Sequence, residues 1–162
     1  MTAPLSVLVV EQNPNMPLWL KHCIGDEEGM YHGRRITLET ATPYDAVKIL
    51  EQTPYHLVVM TYDFHEETFF KPSKFDILFN SIRTLYSQQK ILLRTTTKRK
   101  PKYKADAGTR CIPKVFNKKQ AKSAVEKLLN GTLDDVLMPT KKDLPEEAEK
   151  LRITSFSHIN NF

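Results

Sequence analysis

Short runs of consecutive apolar residues recur along the chain, separated by longer segments with a different periodicity. These runs are Leu5 to Val10, Ile36 to Ala41, Leu57 to Met60, Ile91 to Leu93, and Cys111–Ile112 together with Val115–Phe116. Apolar runs of this length are typical of strands, and a run without polar alternation is typical of a strand covered on both faces of a parallel sheet. The pattern therefore predicts five strands.

Between the runs, apolar residues recur at the spacing of one helical face. The predicted helices run from Asn13 to Ile24, from Thr42–Pro43 to Thr53–Pro54, from Phe75 to Leu85 and from Asn117 to Leu129. Thr42 followed by Pro43 is a favourable helix start. The polar stretch from Asp26 to Arg35 is predicted as a loop.

Strands that alternate with helices imply parallel crossovers and an α/β fold. We predict a five-stranded, doubly wound parallel sheet in a flavodoxin-like three-layer sandwich. In such sheets ligands bind at the carboxyl ends of the strands, near the switch in strand order. The residues predicted at that edge are Glu11, Gln12, Thr61, Thr95 and Lys114.

The size of the chain, 162 residues of which 40% are hydrophobic, fits one globular domain with a substantial core. We place that domain at residues 1–130, followed by a partly helical C-terminal extension at 131–162. No segment approaches the ~20 apolar residues of a membrane span, and the N-terminus lacks a signal-peptide pattern, so we expect a cytoplasmic protein. The two cysteines, Cys23 and Cys111, are too few for a disulfide framework or a zinc site, and both are predicted to be reduced and buried.

Four stretches occur in the order and spacing of a known family: residues 7–14, residues 41–50 leading to 56–61, residues 91–96, and residues 107–108 through 114–116. On these stretches the chain resembles the receiver domain of two-component response regulators, of the chemotaxis-regulator type, over residues 5–130. The resemblance implies a receiver-like sandwich with a phosphorylation pocket at the carboxyl edge of the sheet.

Receivers place two acidic residues after the first strand, a phosphorylated aspartate after the third, Thr or Ser after the fourth and Lys in the fifth. The resemblance assigns these positions to Glu11, Gln12, Thr61, Thr95 and Lys114. In the family, clustered carboxylates hold the Mg²⁺ ion that phosphoryl transfer requires. Because Gln12 and Thr61 carry no carboxylate, we expect poor Mg²⁺ binding, no receiver-type phosphorylation and a degenerate pseudo-receiver.

Several positions of this pocket have two interpretations. Thr61 is either a hydrogen-bonding replacement or a substrate for a separate kinase, and Asp63 becomes the acceptor if a bulge shifts the strand by two residues. Lys114 either forms a structural pair or binds a ligand. Thr96 takes the place of Thr95 if the register slips by one.

Further departures from the family lie after the fourth strand. The aromatic switch position is held by Cys111, and Pro113 precedes the lysine instead of following it. The basic, proline-containing stretch 96–104 predicts a weakened fourth helix.

The net charge of +5 is unevenly distributed. Residues 90–130 carry 13 Lys or Arg against two acids, a net of +11, and the rest of the chain carries 11 against 17, a net of −6. In receivers, the fourth helix, fifth strand and fifth helix form the surface that meets partners, and the resemblance places most of this excess there. The predicted partner-binding residues are Lys98, Arg99, Lys100, Lys102, Tyr103, Lys104, Lys118, Lys119 and Lys122.

These residues suit either an acidic protein partner or the phosphates of a nucleic acid, with Tyr103 available to stack on a base. No helix-turn-helix pattern follows the receiver-like part, which favours the protein partner. We find no Gly-rich phosphate loop after the first strand and no paired nucleophile and base, so we expect no enzyme, cofactor or metal. The predicted function is a phosphorylation-independent interaction module in signalling or transcriptional regulation.

Overall fold

The computed structural model describes residues 4–11, 17–62, 74–95, 108–113, 117–129 and 139, and the side chains at 17–19, 61–62, 74–76, 95 and 113 are outside that description. Over these residues the strands are β1 Leu5–Val10, β2 Met30–Tyr31, β3 Arg34–Ala41, β4 Leu57–Tyr62, β5 Lys90–Thr95 and β6 Thr109–Pro113. The helices are α1 Pro17–Ile24, α2 Pro43–Gln52, α3 Lys74–Leu85 and α4 Lys118–Leu129.

The strands form one sheet in the order β2-β3-β1-β4-β5-β6. All pairs are parallel except β2 with β3. Apart from the short β2, this is the strand order 2-1-3-4-5 of flavodoxin-like sheets. The predicted doubly wound α/β fold is therefore confirmed, and the antiparallel β2 is a sixth strand in addition to the five predicted.

Two layers of core cover the two faces of the sheet, because alternate residues of a strand point to opposite faces. On β1, Leu8 and Val10 pack with α2 and α3, whereas Val7 and Val9 pack with α1 and α4. The same alternation continues on β4 and β5. Every strand of the parallel sheet centre is thus buried on both sides, which explains its continuous apolar sequence.

The segment predicted as a loop, Asp26 to Arg35, contains a hairpin that the sequence pattern did not show. Its turn is formed by His32 and Gly33, which have φ values of 48° and 80° between the paired residues Tyr31 and Arg34. Positive φ at both central residues is the requirement of the tight turn that suits a two-residue hairpin. The second predicted strand therefore begins at Arg34 instead of Ile36.

Three of the predicted helices, α2, α3 and α4, are found nearly as the sequence pattern placed them. α2 begins after Thr42, whose side chain accepts a hydrogen bond from the Asp45 amide. The buried face of α4 is the predicted one: Ala121, Ala124, Val125, Leu128 and Leu129. The weakened fourth helix at 96–104 and the extension at 131–162 lie outside the described residues, save residue 139.

Within the part of the chain that the structure describes, none of the helices is long and apolar enough to cross a membrane.

Candidate functional site

The carboxyl edge of the sheet brings together the strand ends that the sequence assigned to a pocket. Glu11 directly follows β1, and its amide donates a hydrogen bond of 3.0 Å to the Ala41 carbonyl of β3. On the other side of β1, Val10 pairs with Met60, the residue before Thr61. The backbones of Glu11 and Thr61 therefore lie at one edge, as predicted.

The remaining predicted positions are only partly covered. Thr95 ends β5 opposite Pro113 of β6, which places its backbone at the same edge. The side chains of Thr61 and Thr95 are outside the description, and so are Gln12, Asp63 and Lys114. Their predicted roles in the pocket remain predictions.

An ion pair between a buried and a half-buried side chain occupies this edge. Arg94 Nη1 lies 3.3 Å from Glu11 Oε2, and the two side chains are only 6% and 15% exposed. Burial lowers the pKa of the Arg94 guanidinium, while the neighbouring Glu11 carboxylate opposes that shift. The rim acid retained from the family pattern is thus engaged by a cation of the protein itself.

The strand register explains how Arg94 reaches Glu11. Arg94 is paired with Thr61 on the adjacent β4, whereas Glu11 follows β1 on the far side of β4. Strands lie about 4.8 Å apart, so the two backbones are separated by roughly 10 Å, which the two long side chains together can span. The guanidinium therefore reaches from β5 across β4, near the carboxyl end of that strand.

The sequence pattern does not identify Arg94 as a site residue, because there it is only one of the many basic residues of the segment 90–130. The signal was present in the sequence: Arg94 follows Ile91-Leu92-Leu93, a run that reads as a fully buried strand. A charged residue that continues such a strand must find a partner, since an unpaired buried charge is very costly.

A second candidate surface lies between β6 and α4. An open cleft of about 400 Å³ is lined by Arg110, Cys111, Ile112, Lys119, Gln120, Ser123, Ala124 and Lys127. Of the predicted partner-binding residues, Lys118 and Lys119 are exposed on α4 and Lys122 is half-buried there. The residues at 98–104 lie outside the description.

The prediction that both cysteines are buried is wrong for one of them. Cys23 is buried, but Cys111 is exposed. Cys111 lies on β6, the edge strand of the sheet, and lines the cleft. An edge strand need not be covered on both faces, unlike the central strands. The family's switch position is thus held by an accessible thiol.

A polar cluster at the opposite, amino edge of the sheet was also missed. His56, only 5% exposed, accepts a hydrogen bond of 3.0 Å at Nδ1 from the Ser6 amide, and Arg34 Nη2 lies 3.4 Å from its Nε2. Burial first and the Arg34 charge second lower the pKa of His56 to about 4. The cluster joins β1, β3 and the start of β4 and lies away from the rim.

The described residues contain no group of three or more His, Cys, Asp or Glu side chains arranged to hold a metal ion. The receiver family implies Mg²⁺ at the rim. Glu11 is the only rim carboxylate in the described part of the chain, and it is paired with a guanidinium. This donor set does not fit a divalent cation.

No protein-family model and no curated protein sequence matches the chain. Among solved structures, it is similar to the response regulator protein TrrA from the crystal structure of the histidine kinase ThkA in complex with TrrA. The identity is 25%, the TM-score is 0.51, and the match covers 80% of this chain and 99% of that one. It is also similar to the RcsB response regulator of Salmonella typhimurium, with 12% identity, a TM-score of 0.47 and coverage of 93% and 67%.

The likeness to TrrA extends over nearly the whole of that response regulator, and the strand order agrees with a receiver. The chain therefore has a receiver-like fold, and the likeness supports a signalling receiver domain.

Proposed function

We propose that this chain is a phosphorylation-independent pseudo-receiver that acts as a protein-interaction module in signalling or transcriptional regulation, and that it is not an enzyme. The observation that carries the proposal is the buried pair between Glu11 and Arg94. It sits at the edge of the sheet where the receiver fold would carry its phosphorylation pocket.

The physical argument is one of charge. Phosphoryl transfer to a receiver needs several carboxylates around Mg²⁺, and the metal offsets the negative charge that develops. Here Gln12 and Thr61 are neutral by sequence, and the Glu11 carboxylate is already neutralised by Arg94. Among the rim residues that the structure describes, the paired Glu11 is the single carboxylate, so they offer little negative charge to attract a divalent cation.

The test is an NMR titration of the ¹⁵N-labelled full chain with Mg²⁺ and beryllofluoride, and separately with Mg²⁺ and acetyl phosphate. We expect the amide spectrum to stay unchanged, apart from effects seen equally with fluoride or Mg²⁺ alone. Saturable shifts centred on Thr61 or Asp63 would show that the pocket still accepts a phosphoryl group, and the proposal would be wrong.

The partner surface in this proposal is the basic face formed by β6 and α4. Its support is the cleft beside Cys111, the exposed Lys118 and Lys119, and the excess of positive charge in residues 90–130. TrrA, which shares this fold, was solved in complex with a histidine kinase. We propose that this chain likewise binds a protein, one whose contacting surface is acidic.

Charge reversal on α4 tests the face. We expect the variant Lys118→Glu/Lys119→Glu to lose the proteins that the wild-type chain retains from native lysate, with or without nuclease. The control is Arg35→Glu/Lys48→Glu, which makes the same change in net charge at exposed positions on β3 and α2. Equal loss in both variants would mean that net charge, and not this face, governs binding.

Nucleic acid is the second candidate for the same face, favoured by the basic residues that extend from Lys98 to Lys122 in sequence. It predicts an affinity that falls steeply with salt and that weakens when the charges at 98–104 are neutralised. Nuclease would then remove the retained material. A flat salt response would exclude it.

A further inference from the structure

The pair between Glu11 and Arg94 is unusual in its position. A cation buried at the carboxyl edge of the sheet lies where the receiver fold would bring its own cation, a metal ion. If the chain is the proposed pseudo-receiver, a residue of the rim itself can keep a divalent ion out.

The geometry gives Arg94 a defined place in the rim. Its backbone is beside Thr61 and its guanidinium is bonded to Glu11, so it spans the carboxyl end of β4 between the first acidic position and the phosphoacceptor position of the family. The Arg94 side chain is 6% exposed, so it is held in the fold and is not free to swing into solvent.

The chemistry of the guanidinium keeps a positive charge in the rim beside Glu11. It stays protonated in proteins, and it presents several donors in one plane that match a carboxylate. Magnesium, by contrast, needs carboxylate or water oxygens in octahedral geometry. A divalent ion entering this rim would have to take Glu11 from Arg94 and then remain beside a like charge.

We infer that Arg94 is an internal replacement for the divalent cation, and that it excludes the metal from the rim even when the missing carboxylates are restored. The absence of a carboxylate at positions 12 and 61 is then not the whole reason why the rim would bind no metal. A metal ion exchanges with solvent, but a side chain does not leave, so the charge of this rim is set independently of Mg²⁺ concentration.

The experiment compares two full-length variants by calorimetric titration with MgCl₂ alone. Gln12→Asp/Thr61→Asp restores both acids and keeps Arg94, and adding Arg94→Met removes the guanidinium while keeping a long side chain. We expect the double variant to bind Mg²⁺ no better than wild type, and the triple variant to bind it at least about tenfold more tightly. Arg110→Met, added to the double variant in place of Arg94→Met, removes an exposed arginine and should give no gain.

Circular dichroism establishes that each variant is folded, and Arg94→Gln replaces Arg94→Met if the triple variant does not fold. Equal Mg²⁺ affinity in the double and triple variants would overturn the inference, and so would the absence of binding in both. Neither outcome touches the proposed loss of phosphorylation, which fails if the wild-type chain itself responds to Mg²⁺ with beryllofluoride or acetyl phosphate. The two failures are therefore distinguishable.

Discussion

At the scale of single residues, the burial of Arg94 and Glu11 decides how much their pairing matters. An exposed ion pair contributes about 0–1 kcal/mol to stability, because water competes with the partner. Removing one member of a buried pair costs about 3–5 kcal/mol, since the other charge is left without compensation. With 6% and 15% exposure, Arg94 is buried and Glu11 is half-buried, so the pair lies between these two classes, and it ties β5 to the end of β1.

His56 makes the stability of the protein depend on pH. Its pKa is about 4 in the folded chain and about 6.5 when unfolded, so between these values the unfolded state binds more protons. Stability is therefore fully present above pH 6.5 and falls as the pH drops from 6.5 to 4. The loss over this range is on the order of 3 kcal/mol, since a shift of about 2.5 pKa units corresponds to 1.36 kcal/mol per unit.

The measurement is urea unfolding of the full chain at several pH values from 7.5 to 4.5. The variant His56→Asn keeps an acceptor for the Ser6 amide but does not titrate, so its stability should fall less over this range than that of the wild type. Exposed His22 serves as the control, and His22→Asn should follow the wild-type curve. Identical pH dependence in wild type and His56→Asn would remove this role for His56.

Both buried charge clusters show what sequence reading supplied at this scale and what it did not. Glu11 could be placed by its position after an apolar run. Arg94 and Arg34 each belong to a strand that pairs with a distant part of the chain, and only the pairing reveals their partners. A charged residue in a strand indicates that it needs a polar or charged partner, but it does not indicate which residue that partner is.

At the scale of elements, the start of α2 is specified by its local sequence. Thr42 Oγ1 accepts from the Asp45 amide at 3.3 Å, Pro43 begins the helix, and Asp45 lies in the first turn, where a negative charge is favourable. Because these signals act within four residues, they could be read directly from the sequence. The hairpin of β2 and β3 depended instead on a positive φ at His32, a residue type that only occasionally adopts it.

The cap of α2 gives a prediction at this scale. Thr42→Ala removes the acceptor for the Asp45 amide, and we expect it to lower the free energy of unfolding by about 1 kcal/mol. Thr42→Ser retains the hydroxyl and should recover most of that loss. Urea unfolding at pH 7 measures both, and equal losses for Ala and Ser would show that the methyl group, and not the cap, is what matters.

At the scale of the whole molecule, the described core is made of residues from Leu5 to Leu129. α4 contributes five buried apolar residues to one of its two layers, and this layer also holds α1. The predicted domain boundary near residue 130 stays a prediction.

Truncation tests that boundary. We expect a chain of residues 1–130 to unfold cooperatively. Its far-ultraviolet circular dichroism spectrum should show that the helices and strands of the wild type are retained. A chain of residues 1–117 lacks α4, exposes one face of the sheet and should not fold, because the lost burial is worth several kcal/mol. Failure of the longer fragment to fold would place part of the core in the C-terminal extension.

The fold was more predictable than the site, for a physical reason. Alternating strands and helices leave a periodic apolar pattern, and burial on both faces leaves continuous runs such as Leu57 to Met60. The structure of the rim depends on which charged side chains form pairs, and Arg94 lies 83 residues from Glu11 in sequence. A pattern read along the chain therefore does not predict that these two side chains form a pair.

The two thiols differ in a way that has practical value. Cys23 is buried and its thiol pKa is raised by burial, whereas Cys111 is exposed beside the cleft between β6 and α4. A maleimide dye or spin label will therefore react with one sulfur of the native chain, with no substitution needed. The protein thus offers a ready attachment point for fluorescence or paramagnetic probes at the face proposed to meet its partner.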